Sequence, residues 1–365
     1  MVPMNIPFSV DIEPNWEGFL QCLRREGTPE RVHFIELLID DEVKDALVER
    51  YGLIDGVGPD DPHYLLEREW RVQRFLGQDF VRWGVDEVGI KIGKLATDDT
   101  AELARAGGRK YYDEHKGPIT TWEEFEAYPW PDPKRLTTTQ LEWFEKNLPD
   151  DMCVVGSRGF AHFSEYLNWL MGYETLCYSL FDQRDLVEAI SRKLLELYDV
   201  VVERMLEFDR VKAIWGGDDM GYRGGTLIGP DDMRAFVLPG HKAMAGAAHD
   251  AGRPYLLHSC GNLRAIMDDL IDDVKIDAKH SFEDTIETVE QAKDRYGDRI
   301  AVLGGIDVDF LCRRDEAAVR ERTRATLEAC QPGGGYCLGT GNSVPNYMPL
   351  DNFLAMLDEG RKFGR

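Results

Sequence analysis

The sequence predicts an α/β fold, a (β/α)8 TIM barrel, and three observations predict it. Short apolar runs stopped by Gly, Asp or Asn recur along the 365 residues, and each is followed by a stretch whose apolar residues repeat at helical spacing. Eight such runs can be laid out with no tandem repeat and no low-complexity linker between them, so residues 1–365 read as a single barrel domain. The unusual polar residues collect where the runs end, at Glu36, Asp218, Asp219, His258, Cys260, His280, Asp307, Cys337 and Asn342. In a barrel those ends share one open face. A doubly wound open sheet is the competing arrangement.

In chain order, residues 1–30 read as a leader plus one helix, apolar at Trp16, Phe19, Leu20 and Leu23, that closes the bottom of the core. Residues 31–40 read as the first strand, with Glu36 near its end, followed by a helix through Tyr51, a helix over 65–76 and a second strand over 85–92. Residues 101–149 are polar, proline-bearing and aromatic, and form an excursion over one rim with helices at 122–127 and 138–146. Its Tyr and Trp side chains read as local packing or, less simply, as a substrate lid. The third strand spans 152–159, helical pattern covers 163–181 and 185–208, and the fourth strand, 211–221, ends in Asp218 and Asp219. Helices at 230–238 and 241–251 precede the fifth strand, which contains His258. Strands over 274–278, over 300–305 and around Cys337 then alternate with helices over 263–271, 285–296, 316–330 and 350–363.

A hydrophobic content of 43% with 10% aromatics supports a packed core rather than a disordered chain. The formal net charge of −24 argues against nucleic acid as a partner, because phosphate binding needs clustered Lys and Arg. No apolar run is long enough to span a bilayer and no basic-then-apolar leader opens the chain, so a cytoplasmic location is expected. Seven cysteines without framework spacing read as reduced thiols.

In Pro254-Tyr255-Leu256-Leu257-His258-Ser259-Cys260-Gly261-Asn262 a buried strand runs into a polar end. Residues i and i+2 of a strand point to the same side, so His258 and Cys260 present an imidazole and a thiol together, as a zinc site requires. The expected third ligand is Cys337, in the glycine-framed eighth strand, which would close against the first. Two thiolates and one imidazole leave one metal position open. Glu283 and Glu36 are candidates for a fourth ligand; so is His280, which reads more simply as a hydrogen-bonding neighbour of a ligand. Taken singly, each cysteine reads as a small buried apolar residue. Asp218-Asp219 reads either as an acid/base pair or as a capping turn. The glycines at 333–335, 339 and 341 lack any Walker or dinucleotide context, and no Gly-x-Ser-x-Gly elbow is present.

The runs Trp215-Gly216-Gly217-Asp218-Asp219-Met220-Gly221, His258-Ser259-Cys260-Gly261-Asn262, Leu303-Gly304-Gly305-Ile306-Asp307 and Gly333-Gly334-Gly335-Tyr336-Cys337-Leu338 resemble the uroporphyrinogen decarboxylase superfamily. More narrowly, they are similar to its zinc-dependent, corrinoid-linked methyltransferase branch. The resemblance covers about residues 150–365 well and the earlier part in outline. It implies a uroporphyrinogen decarboxylase-like barrel, Zn2+ held by His258, Cys260 and Cys337, and methyl transfer between a small molecule and a corrinoid carried on a partner protein. The small molecule would be a methoxylated compound or a thiol, Asp219 or His280 would move the accompanying proton, and a homodimer is expected. True uroporphyrinogen decarboxylases carry an arginine-rich signature near the N-terminus. The matching strand here, His33-Phe34-Ile35-Glu36-Leu37-Leu38, has none, so decarboxylation of that substrate is not expected. The alternatives are a zinc-barrel lyase or hydrolase that uses Asp218 and Asp219 without a corrinoid, and a non-catalytic binding barrel.

Overall fold

The computed structural model describes residues 7–113 and 115–364. Seven strands form one sheet in chain order: Phe80–Trp83, Cys153–Gly156, Val211–Gly217, Tyr255–His258, Ala278–His280, Ala301–Leu303 and Tyr336–Cys337. Every neighbouring pair is parallel, with helices between, which is the predicted α/β barrel wall. The expected first strand takes the eighth place only through bridges, Phe34 to Leu338 and Ile39 to Val344. Among the described residues it forms no ladder with Phe80–Trp83 on its other side. That seam is pinned at its base by Asp79, which accepts hydrogen bonds from the Asn15 amide (2.6 Å) and His33 Nδ1 (2.7 Å) and pairs with Arg31.

Alternation along the strands sorts the core into two layers. Phe80, Cys153, Val155, Ala213, Trp215, Leu256, Ala278, Ala301, Leu303 and Cys337 face the lumen. Their sequence neighbours, such as Val154, Ile214, Leu257 and Val302, face the surrounding helices. The lumen is plugged from below by helix Trp16–Leu23, which contributes Phe19, Leu20, Cys22 and Leu23. Each fully buried side chain of this size contributes about 1.5–3 kcal/mol. The same period carries past the apolar rows, so the next lumen-facing residues are Arg82, His258 and His280.

Two strand expectations are corrected. The second strand is Phe80–Trp83 rather than 85–92. Residues 85–92 imitate a strand through Val85, Val88, Ile90 and Ile92, but the Asp86 carboxylate turns back to accept from the Thr139 and Gln140 amides and the Thr137 hydroxyl, capping helix Thr139–Asn147. The sixth strand is Ala278–His280 rather than 274–278. Residues Asp269–Val274 form a π-helical turn that ends at left-handed Lys275, and Val274 and Ile276 are buried from that turn.

The rim excursion begins earlier than expected, with a hairpin of Lys94–Thr97 and Arg109–Tyr112, and continues through helices Trp122–Ala127 and Thr139–Asn147. Its aromatics pack on one another and on the barrel. Tyr112 stacks on Trp169 at 4.0 Å, and Phe125 and Tyr128 meet Trp130 edge-on. Among the described residues no helix is long and apolar enough to cross a membrane, and all seven cysteines are free.

Candidate metal centre

His258, the last residue of its strand, lies in register with His280 on one side and Gly217 on the other. Two residues on, Cys260 returns to the same side and its Sγ comes 3.5 Å from His258 Nε2. Gly261 then turns the chain at φ 84°, a conformation natural to glycine. A Cβ there would collide with the backbone of Gly221, so the two loops can come this close only with a glycine at this position. The contact brings Asp219 against the pair. Its Oδ1 accepts from the Cys260 amide at 3.1 Å and lies 3.4 Å from His258 Nε2. Ligand atoms of Asp219, His258 and Cys260 all lie within 4.8 Å of one another.

A tetrahedral zinc, with bonds of about 2.3 Å to sulfur and about 2.0–2.2 Å to nitrogen and oxygen, separates its ligand atoms by about 3.4–3.6 Å. The two separations at His258 Nε2 match that spacing, and the N, S and O donor set suits zinc. The protonation pattern suits it too. Burial holds His258 below its ordinary value, against the pull of Asp219, and a neutral imidazole is the form that binds a metal. His258 Nδ1 lies 2.8 Å from His280 Nδ1. His280 is held neutral by burial and by the neighbouring His258 and Lys279, and its Nε2 faces the Thr340 carbonyl without a well-formed hydrogen bond. If His280 carries its proton on Nε2, its Nδ1 accepts from His258, and the His258 Nε2 lone pair is left pointing at Asp219 and Cys260.

Burial, and then the Asp219 charge, push the Cys260 thiol up when it has no cation to bind. Asn342 Nδ2 (3.3 Å) and Ser281 Oγ (3.7 Å) donate toward its sulfur, contacts that favour a thiolate once a cation is present. Asp219 itself is held well below the usual carboxylate range. Burial opposes this, and His258 and the Cys260 amide outweigh it.

The remaining expectations sort as follows. Cys337 does not join the group: it faces the lower lumen, where its Sγ meets Cys22 Sγ at 4.0 Å on the plug helix. It is a core thiol because the strand end that rises to the mouth lies further along the chain, at Asn342. Asp218 is corrected from acid/base partner to structural acceptor. Fully buried, it takes hydrogen bonds from the Ser164 and Glu165 amides and from His241 Nε2, so it caps helix Phe163–Met171 from a distance. Glu36 is corrected as a metal ligand, since both its oxygens are held by Thr340, at 2.9 Å to the amide and 2.6 Å to the hydroxyl. Glu283 lies near enough for its charge to act on Cys260, outside the group of three. His280 touches His258 rather than the open side of the group. Asp307 caps helix Val308–Arg313. Asn342, Arg82 and Ser281 are mouth residues not assigned a role from the sequence. An arginine set inside the apolar run Phe80-Val81-Arg82-Trp83 is the signal that could have found the second.

Burial raises Glu36 to about 8 even though Thr340 opposes the shift. The folded state therefore holds a proton that the unfolded chain releases near its ordinary value of 4.5. Stability contributed by this group is fully present below about pH 4.5 and declines as pH rises toward 8. Glu36→Gln is expected to flatten that decline by a few kcal/mol, read from urea midpoints between pH 5 and 8. An unchanged pH slope would refute it.

The fold and site define an α/β barrel with a candidate N, S and O metal group at its C-terminal mouth. The family profile described as uroporphyrinogen decarboxylase (URO-D) matches residues 115–363, and the chain belongs to that family. Among solved structures, a methyltransferase from Methanosarcina mazei shares 16% identity, with 95% of this chain and 98% of that chain covered and a TM-score of 0.67. A protein described as a vitamin-B12 independent methionine synthase from Listeria monocytogenes shares 13% identity over 92% of this chain and 95% of its own, with a TM-score of 0.47. At these identities the likeness is one of fold. Comparison with curated proteins finds no match.

Proposed function

We propose that the protein is a zinc-dependent methyltransferase that moves a methyl group between a small molecule and a corrinoid protein. The observation that carries the reading is the convergence of His258 Nε2, Cys260 Sγ and an Asp219 oxygen at zinc-like spacing on the open face of the barrel. The methyltransferase of similar fold, 16% identical, supports the choice of reaction. Three protein ligands leave a fourth position free, as expected of a catalytic rather than a structural zinc.

Zinc held there would supply Lewis acidity to the thiol or methoxy oxygen of the substrate. The chain's own residues do the rest. His280 sets the tautomer of His258, and Asn342 and Ser281 steady the Cys260 sulfur. Glu283, close to the group and outside it, takes or returns the substrate proton. In this reading Asp219 is a ligand and His280 is the hydrogen-bond partner of His258, so neither carries the proton. Decarboxylation of an octa-anionic porphyrinogen is disfavoured, because residues 33–38 carry no arginine to receive its carboxylates.

Metal analysis and methyl transfer test this together. One zinc per chain is expected, with loss or gain of the cobalt-bound methyl of methylcobalamin seen in its absorption spectrum when a thiol or methoxylated compound is added. Protein without stoichiometric zinc would defeat the metal assignment. Full zinc without methyl exchange in either direction would favour a zinc lyase or hydrolase. His280→Phe keeps the ring's volume but removes the partner of His258 Nδ1. It is expected to weaken zinc binding about 10–100-fold in chelator competition, and unchanged affinity would show that His280 does not orient the ligand.

A further inference from the structure

A cavity of 220 Å3 opens along the seam between residues 36–39 and the Phe80–Trp83 strand. In a chain of net charge −24 its wall is rich in cations: Lys44, Arg68, Arg82 and Arg158. Two are already paired, Lys44 with Glu69 at 2.6 Å and Arg68 with Asp41 and Asp45. Arg82 is different. Its half-buried side chain faces the barrel mouth with no hydrogen bond or ion pair among the described residues, and the face of Trp215 sits beneath it, at 5.7 Å. Arg158, from the next loop, adds a second guanidinium over Trp83 at 4.2 Å and is bonded only to the neutral amide of Gln140.

Drawing a cation partly out of water without a partner is unfavourable, and holding a second one nearby adds repulsion. Burial does lower Arg82, to about 10, yet it stays charged at neutral pH. Glu69, whose charge reaches it, is already engaged by Lys44 and by Gln73 Nε2 at 2.9 Å. Glu36 on the facing wall is tied to Thr340. Such an arrangement is retained where a ligand completes it.

The position also relates to the metal group. Trp215, under Arg82, meets His280 edge-on at 5.5 Å, and His280 touches His258. From the other wall, Glu36 holds Thr340, two residues before Asn342, whose amide reaches Cys260. The cavity and the metal group are thus linked through one row of packed side chains, and Arg82 lies close enough for its charge to act on His258 and His280. We propose that Arg82, assisted by Arg158, receives a carboxylate of the small-molecule substrate, whose methyl-bearing or thiol end lies at Asp219, His258 and Cys260. The substrate class is then a small organic acid; this rests on the methyl-transfer reading for the far end of the molecule only.

Calorimetric titration of 3-methoxybenzoate and 3-mercaptopropionate against their uncharged amides tests the proposal without turnover, and the two pairs separate a methoxy from a thiol substrate. At least one acid is expected to bind the wild type tenfold or more tightly than its amide, since a charge-assisted bidentate contact is worth at least that factor. Arg82→Gln should erase the preference and Arg158→Gln should reduce it. His258→Ala should lose zinc yet keep the preference for 3-methoxybenzoate over its amide, so failure of the metal reading and failure of this one are told apart. Arg82→Gln should also melt no lower than the wild type, because it removes an unpaired, half-buried charge. Equal binding of acids and amides, a preference that survives Arg82→Gln, or a variant that loses binding together with several degrees of melting temperature would overturn the assignment.

Discussion

Cys260→Ala is expected to weaken zinc binding by more than 100-fold and to abolish methyl transfer, while Cys337→Ala keeps the zinc and costs only about 1 kcal/mol of stability. The contrast follows from where the two sulfurs lie. Cys260 Sγ is 3.5 Å from His258 Nε2 and receives donors from Asn342 and Ser281, a setting made for an ionised sulfur. Cys337 is fully buried in the apolar lumen beside Cys22, and burial first, then Cys22, push its thiol far up, so it stays protonated and packs as a small apolar residue. Chelator competition and urea denaturation on the two variants measure both effects. Zinc lost from Cys337→Ala would return that residue to the metal site and displace Asp219 from it.

Asp218→Ala is expected to lower stability by about 3–5 kcal/mol, the largest folding effect among the mouth residues, and to leave the zinc content of the folded fraction unchanged. The carboxylate accepts at 2.8 Å, 3.0 Å and 2.9 Å from the Ser164 and Glu165 amides and His241 Nε2, all buried or nearly so. Alanine leaves two first-turn amides and an imidazole without a partner, and no water reaches them readily. Asp218→Asn should lose less, since one oxygen remains to accept. A variant as stable as the wild type but inactive would show that the residue acts in catalysis after all.

Neighbours in sequence could hardly differ more than Asp218 and Asp219, and nothing in their shared Gly-Asp-Asp context separates them. Past the end of a strand one side chain turns under the wall and the next turns into the mouth, so the roles depend on which helix lies behind and which loop lies in front. His258 and Cys260 were readable because period-two alternation is a local property of an extended chain. Arg82 was hidden by the reverse effect. A charged residue inside a four-residue apolar run weakens the pattern, and the stretch after it imitated a strand with residues that serve a cap and a loop.

Local periodicity, the turn residues and the His-x-Cys spacing are thus enough to announce a barrel and half of a candidate metal group, since each depends only on residues a few positions apart. The approach of Asp219 to His258 and Cys260, the placing of Cys337 and Asp218 away from that group, and the unpaired guanidinium at the seam come from how distant strand ends are staggered around the barrel. That stagger is set by register and by packing against the plug helix, and neither leaves a trace in the spacing of letters along the chain.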